Sequence, residues 1–139
     1  MATHIDAKIL NALMGHLTTM TLPASVGGIA YPNVRYDPNG GPYLKTMIFR
    51  NSPENNLIPF GKDPIRRGIF QVSVFWPESE GENAPLEVAG LVEQRFVRGT
   101  KIAGDTFTVR IDDDPTVGSL LHDAPWVQIP VSIPFITYP

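Results

Sequence analysis

From Gly68 to Trp76 the chain reads GIFQVSVFW, with Phe70, Val72, Val74 and Trp76 on one parity and Gln71 and Ser73 marking the other. A two-residue period of this kind belongs to a strand with one buried side. Pro77 ends it. A longer alternation closes the chain, because in Trp126–Tyr138 (WVQIPVSIPFITY) the apolar set is Val127, Ile129, Val131, Ile133 and Phe135. Pro130 and Pro134 both fall on the opposite parity, so the two missing amide hydrogens face the same neighbouring strand. That flank must be an edge, a bulge or a partner contact.

Two helices frame the first of these strands. From Thr3 onward Ile5, Ile9, Leu13 and Leu17 recur at four-residue steps, with Thr3 placed to cap and Asp6 placed to suit the positive helix end. Pro23 lies beyond the helix. The second helix is expected from Pro85 to Val97, capped by Asn83 or Ala84, with Val88, Leu91, Val92 and Phe96 as its buried stripe. Gly99 follows, in the left-handed position that ends many helices.

The remaining segments are strands and long connections. Tyr43–Arg50 (YLKTMIFR) reads as a strand with apolar residues on both faces, which argues against an open solvent surface. Thr106–Ile111 (TFTVRI) alternates, and the KIAG stretch before it is a short extended or turn segment. Residues 23–42 form a connection rich in Pro and Gly, in which VGGIAYP has room for a short extended piece. Together these elements predict an α+β fold over residues 1–139 as a single domain: a mainly antiparallel sheet, two helices packed on one face, and long loops.

The interruption from 51 to 67 (NSPENNLIPFGKDPIRR) is long for a domain of this size, and its Leu57, Ile58 and Phe60 sit among Pro, Asn and Gly. Two readings stand for these three side chains: an apolar contact surface, or residues folded back onto the core. Arg66 and Arg67 have two readings as well. They either reach an acidic surface on a neighbouring subunit or are exposed cations that aid solubility.

The composition limits the chemistry. With no cysteine among 139 residues there are no disulfides, thiolate nucleophiles or sulfur-ligated metals. The formal net charge is −3 and the cations are scattered, so no basic face for nucleic acid is legible. The amino-terminal apolar pattern contains Asp6 and Lys8, unlike a signal peptide, and no apolar run is long enough to span a bilayer. The expectation is a soluble protein assembled inside the cell.

No catalytic, cofactor-binding or metal-binding set emerges. Asp112, Asp113 and Asp114 could be imagined around a hard cation, but Pro115 follows at once and a solvated turn is favoured. His4, His16 and His122 lack a ligand spacing within a helix. The pairs Gly27/Gly28 and Gly40/Gly41 fit no phosphate-cradling motif.

The stretch RGIFQVSVFWP (Arg67–Pro77), a capped helix ending in RFVRGT (Arg95–Thr100), then FTVRI and a terminal PVSIPF resemble a family of small phage proteins, the tail terminators of long non-contractile tails. The similarity spans roughly residues 40–138 and rests on order and phrasing. It implies a non-enzymatic α+β virion protein with no cofactor, located at the head-proximal end of the tail. Such a protein would close with copies of itself into a hexameric ring, stop polymerisation of the tail tube protein, and present a surface to a head-completion or connector protein. Under this reading Leu57, Ile58, Phe60, Arg66, Arg67, Pro130 and Pro134 are the candidates for the subunit or tube interface, with no specific nucleic acid and no membrane as partners. The alternatives are a head-tail joining or other minor tail protein and, from another class, a small hydrolase or ligand-binding domain.

Overall fold

The structure is a computed structural model, which describes residues 4–37, 41–51 and 65–138. Its elements run α1 (Ile5–Thr18), β1 (Ile29–Ala30), β2 (Tyr43–Arg50), β3 (Arg66–Pro77), α2 (Asn83–Arg95), β4 (Lys101–Ala103), β5 (Thr108–Ile111), β6 (Thr116–Val117), β7 (Leu121–Asp123) and β8 (Trp126–Tyr138). The expected α+β architecture holds. One curled sheet has the order β1-β2-β3-β8-β5-β4, and β6 and β7 also pair with β8. All pairings are antiparallel except that of β1 with β2.

The two alternating strands form the centre, paired from Arg66↔Thr137 to Pro77↔Trp126. Their apolar parities meet on one face, where Phe70, Val72, Val74, Trp76, Val127, Ile129, Val131, Ile133 and Phe135 are all buried. Both helices cover this face. From α1 come Ile9, Leu13, Met14 and Leu17, and from α2 come Pro85, Val88, Ala89 and Val92. Phe96, just past α2, is fully buried with its ring 5.8 Å from that of Phe70 and edge-on to His16 at 4.9 Å.

The two helix ends cap each other. The Arg95 Nε donates to the carbonyl of His16 at 2.9 Å and its Nη2 to Thr19 Oγ1 at 2.7 Å, while the His16 Nε2 lies 2.9 Å from the carbonyl of Arg95. Carbonyls in the last turn of a helix have no partner within it, and here each helix supplies the other's.

Several local expectations need correction. The cap of α1 is His4, one residue past Thr3, with Nδ1 accepting the Asp6 amide at 3.2 Å. Imidazole nitrogen can fill the acceptor role expected of a hydroxyl. Helix α2 starts two residues before Pro85 and ends two before Val97, and its preceding residue, Glu82, makes no capping bond through its side chain. Leu91 is 37% exposed and Ala89 takes its place in the stripe, since the buried arc centres on Val88 and Val92. Gly99 does have a positive φ of 90°, but three residues after the Phe96 cap, in the turn into β4.

The prolines of β8 lie beside breaks in the neighbouring flank. The carbonyl of Pro134 accepts from the Asp112 amide at 3.0 Å, just after β5, and that of Pro130 accepts from the Gly118 amide at 2.7 Å, just after β6. A residue's N–H and C=O point to the same side of a strand, so the missing donors face this flank as well. The flank is therefore divided among three short strands. The pieces β6 and β7 had no expected counterpart in the sequence.

A smaller ionic contact ties α1 to the turn after β4. Lys8 Nζ lies 2.7 Å from Asp105 Oδ2, and this hydrogen bond, helped by the Thr106 amide, holds the Asp105 carboxyl below its ordinary value of 3.8. A carboxyl lowered on folding contributes stability above its ordinary pKa and loses it as the pH falls through the lowered one. In an NMR titration the Asp105 midpoint is expected below 3.8, and Lys8→Ala should move it back toward that value.

Candidate interaction surface

The register places the outward-facing side chains of three strands in rows. Phe49, Ile69 and Pro134 stand in one row across β2, β3 and β8, followed by Met47, Gln71 and Ser132, then Lys45, Ser73 and Pro130, then Tyr43, Phe75 and Gln128. The last row is closed by aromatics. Tyr43 stacks on Phe75 at 4.9 Å and on Tyr36 at 5.1 Å, and meets Trp126 edge-on at 5.3 Å. Burial, with the neighbouring Asp123 carboxylate and the Tyr36 phenol adding to it, pushes the Tyr43 hydroxyl above its ordinary pKa. An added Cβ on Gly28 would lie 2.8 Å from the Tyr36 hydroxyl, so one of the glycines without a phosphate motif serves to seat this ring.

The opposite end is apolar and open. Phe49 is 47% exposed, Met47 43% and Ile69 41%. This corrects the expectation that both faces of β2 are covered: Leu44 and Thr46 are buried, whereas the Lys45 parity faces out. Phe49 and Ile69 are direct cross-strand partners at the end where β2 runs out and β3 begins. Neighbouring large apolar side chains on a sheet's outer face mark an interaction site more often than a scatter of single ones does.

The candidate residues read from the sequence divide as follows. Leu57, Ile58 and Phe60 lie outside the described residues. Arg66 Nη1 donates to Asp6 at 3.2 Å and 3.4 Å to the two carboxylate oxygens, tying the start of β3 to the first turn of α1. Arg67 Nη1 donates to Asp112 Oδ2 at 3.0 Å, and Arg110 stands 3.7 Å from the other oxygen. Both arginines thus meet acids of their own chain. Pro134, half-buried, completes the row of Phe49 and Ile69, while Pro130 lies two rows away opposite Ser73. Asp113 accepts the Asp114 amide at 2.8 Å in an exposed turn.

Met47, Phe49 and Ile69 were absent from the sequence-derived set, although a signal for them existed. Ile69 shares its parity with Gln71 and Ser73, and Met47 and Phe49 share theirs with Lys45. Large apolar residues on an otherwise polar parity are the trace of an apolar patch on the outer face.

This sheet, with an apolar outer patch and two helices behind it, can be compared with known proteins. A family model described as phage tail terminator protein matches residues 8–135. The chain belongs to the phage tail terminator family. A solved structure aligns with 97% of this chain and 95% of its own at a TM-score of 0.71 and 22% identity, which shows a shared fold. No curated protein matches the chain. The family is one of structural phage tail proteins and not a known enzyme family, so the chain is a virion component with a structural role in the tail. Membership implies contacts with other tail and head proteins. Among the described residues no helix is long and apolar enough to cross a membrane.

Proposed function

We propose that this tail terminator assembles as a ring of six copies that caps the tail tube at its head-proximal end, halts tube polymerisation and offers the surface to which a head-completion or connector protein attaches. Family membership supports the tail role, and the exposed pair Phe49 and Ile69, with half-buried Pro134 beside it, is the single structural observation that supports assembly. Apolar area removed from water contributes roughly 25 cal/mol per Å², and apolar patches with charged rims are suited to defined contacts. Leu57, Ile58 and Phe60, apolar residues in the 51–67 interruption of the sequence, are assigned to the same interface on their chemistry alone. Arg67, on the outward parity of Ile69, forms the rim of the patch with its guanidinium preset by Asp112, while Arg66, held by Asp6 on the helix side, serves a contact at the end of the sheet. Pro130 and Pro134 give the outer face of β8 rigid apolar contact points. The work is done by shape and association, with no cofactor and no bond made or broken.

Phe49→Ser combined with Ile69→Ser tests the patch. The variant is expected to melt within a few degrees of the parent, because both side chains face outward, yet to fail to form rings or to stop tube growth in an in vitro tail assembly. Ring formation at wild-type concentrations would place the interface elsewhere. Phage lacking the protein and still producing tails of normal length joined to heads would overturn the role itself.

A further inference from the structure

We propose that a groove along the free edge of β2 receives the acidic turn between β3 and α2 of a second copy of this chain, an inference that rests on the self-association proposed above. Strand β1 pairs only with Leu44 and Lys45. The Leu44 amide donates to Gly28, so alternate residues of β2, Thr46, Ile48 and Arg50, direct their backbone groups toward the same side. Past Ala30 no described strand continues along that edge. A groove follows it, lined by Arg35, Lys45 and Arg50 with Tyr31, Val34 and Met47 as apolar walls, and no acid is among its lining residues. Arg35, Lys45 and Arg50 are exposed.

The complementary feature lies at the other end of β3. Between Pro77 and Val88 the chain carries Glu78, Glu80, Glu82 and Glu87 with no Lys or Arg among them. All four are exposed, and none is paired with a cation among the described residues. Ser79 and Gly81 both have positive φ, at 68° and 82°, which turns this segment tightly, and Leu86 beside it is a partly exposed apolar group. The groove flanks the stretch of β2 that pairs with Gly68–Ser73, while the acidic turn begins after Pro77. The two patches are different surfaces of one subunit, so their union is head-to-tail. That is the contact class that closes into a ring when its rotation divides the circle. Charge of opposite sign sets the orientation of approach and rejects the reversed one.

Charge reversal in both patches provides the test, read by sedimentation velocity and native mass spectrometry of the full chain. Lys45→Glu with Arg50→Glu, and separately Glu80→Lys with Glu82→Lys, should each weaken self-association at least tenfold. Mixing the two reversed proteins should restore it, because each then offers what the other's groove or turn requires. The Lys45→Gln/Arg50→Gln protein stands in if reversal disturbs folding. It should show an intermediate loss, and parental association should weaken with added salt. Reversed proteins that assemble like the parent, or a mixture without rescue, would overturn this docking while leaving ring formation intact. A parent chain that forms no ring alone or on tail tubes would remove the underlying reading instead. Loss of binding to a short DNA duplex in the Lys45→Glu/Arg50→Glu protein, with self-association unchanged, would also overturn the proposal and assign the groove to nucleic acid.

Discussion

Phe96→Ala is expected to lower the free energy of unfolding by about 3–5 kcal/mol, the usual cost of deleting a large buried aromatic ring. Phe96 is fully buried where α2 ends, in contact with Phe70 of β3 and with the edge of His16 from α1. Its loss opens a void between the helices and the central strand. It also loosens the pairing of Arg95 and His16 that holds the two helix ends together. Against a total stability typically of about 5–15 kcal/mol this is a large fraction. Urea unfolding should show a lower midpoint with an unchanged slope. A loss below about 1 kcal/mol, far under the cost of such a void, would mean that the site collapses around it.

Gly68→Ala should be nearly as damaging despite adding one carbon. A Cβ there would stand 2.3 Å from the carbonyl oxygen of Phe49 and 2.8 Å from the Phe135 ring. The ring has some freedom to turn, but the carbonyl is part of the β2–β3 ladder, whose partner at this level is Arg50. Overpacking of this kind costs about 1–3 kcal/mol and sometimes more. The strain falls directly beneath the exposed Phe49/Ile69 row. A melting temperature lowered by several degrees, together with weakened assembly at temperatures where the variant is folded, is the expected pattern. An unchanged melting curve would show that the two strands separate freely at this point.

The readable parts of this fold were those with a single strong period. The parity of Phe70, Val72, Val74 and Trp76 and that of Val127–Phe135 set the inner face of the sheet, and the four-residue steps of α1 set its packing side. Strands β6 and β7 were invisible because two or three residues carry no period, and they exist through pairing with β8. The cap at His4 was hidden because histidine is an uncommon residue for that role. The outer patch was misread for a different reason. Apolar residues on both parities of β2 are compatible with a strand buried on two sides and with one that buries its second side against a partner. Only the position of β2 near the rim of the sheet separates these cases. The acids that meet Arg66 and Arg67 lie far away in sequence, at Asp6 and Asp112, and no local pattern announces such pairs.

The interrupted flank of β8 has a consequence for how copies of this molecule can stick together. A sheet that leaves both margins open invites chain after chain to add by backbone pairing, and such stacking has no natural end. Here one margin is cut into two- to four-residue pieces around Pro130 and Pro134 and finishes in the three residues of β4. Among the described residues the β2 margin alone offers a usable length, so backbone-led growth of this sheet is one-sided, which works against runaway fibre formation.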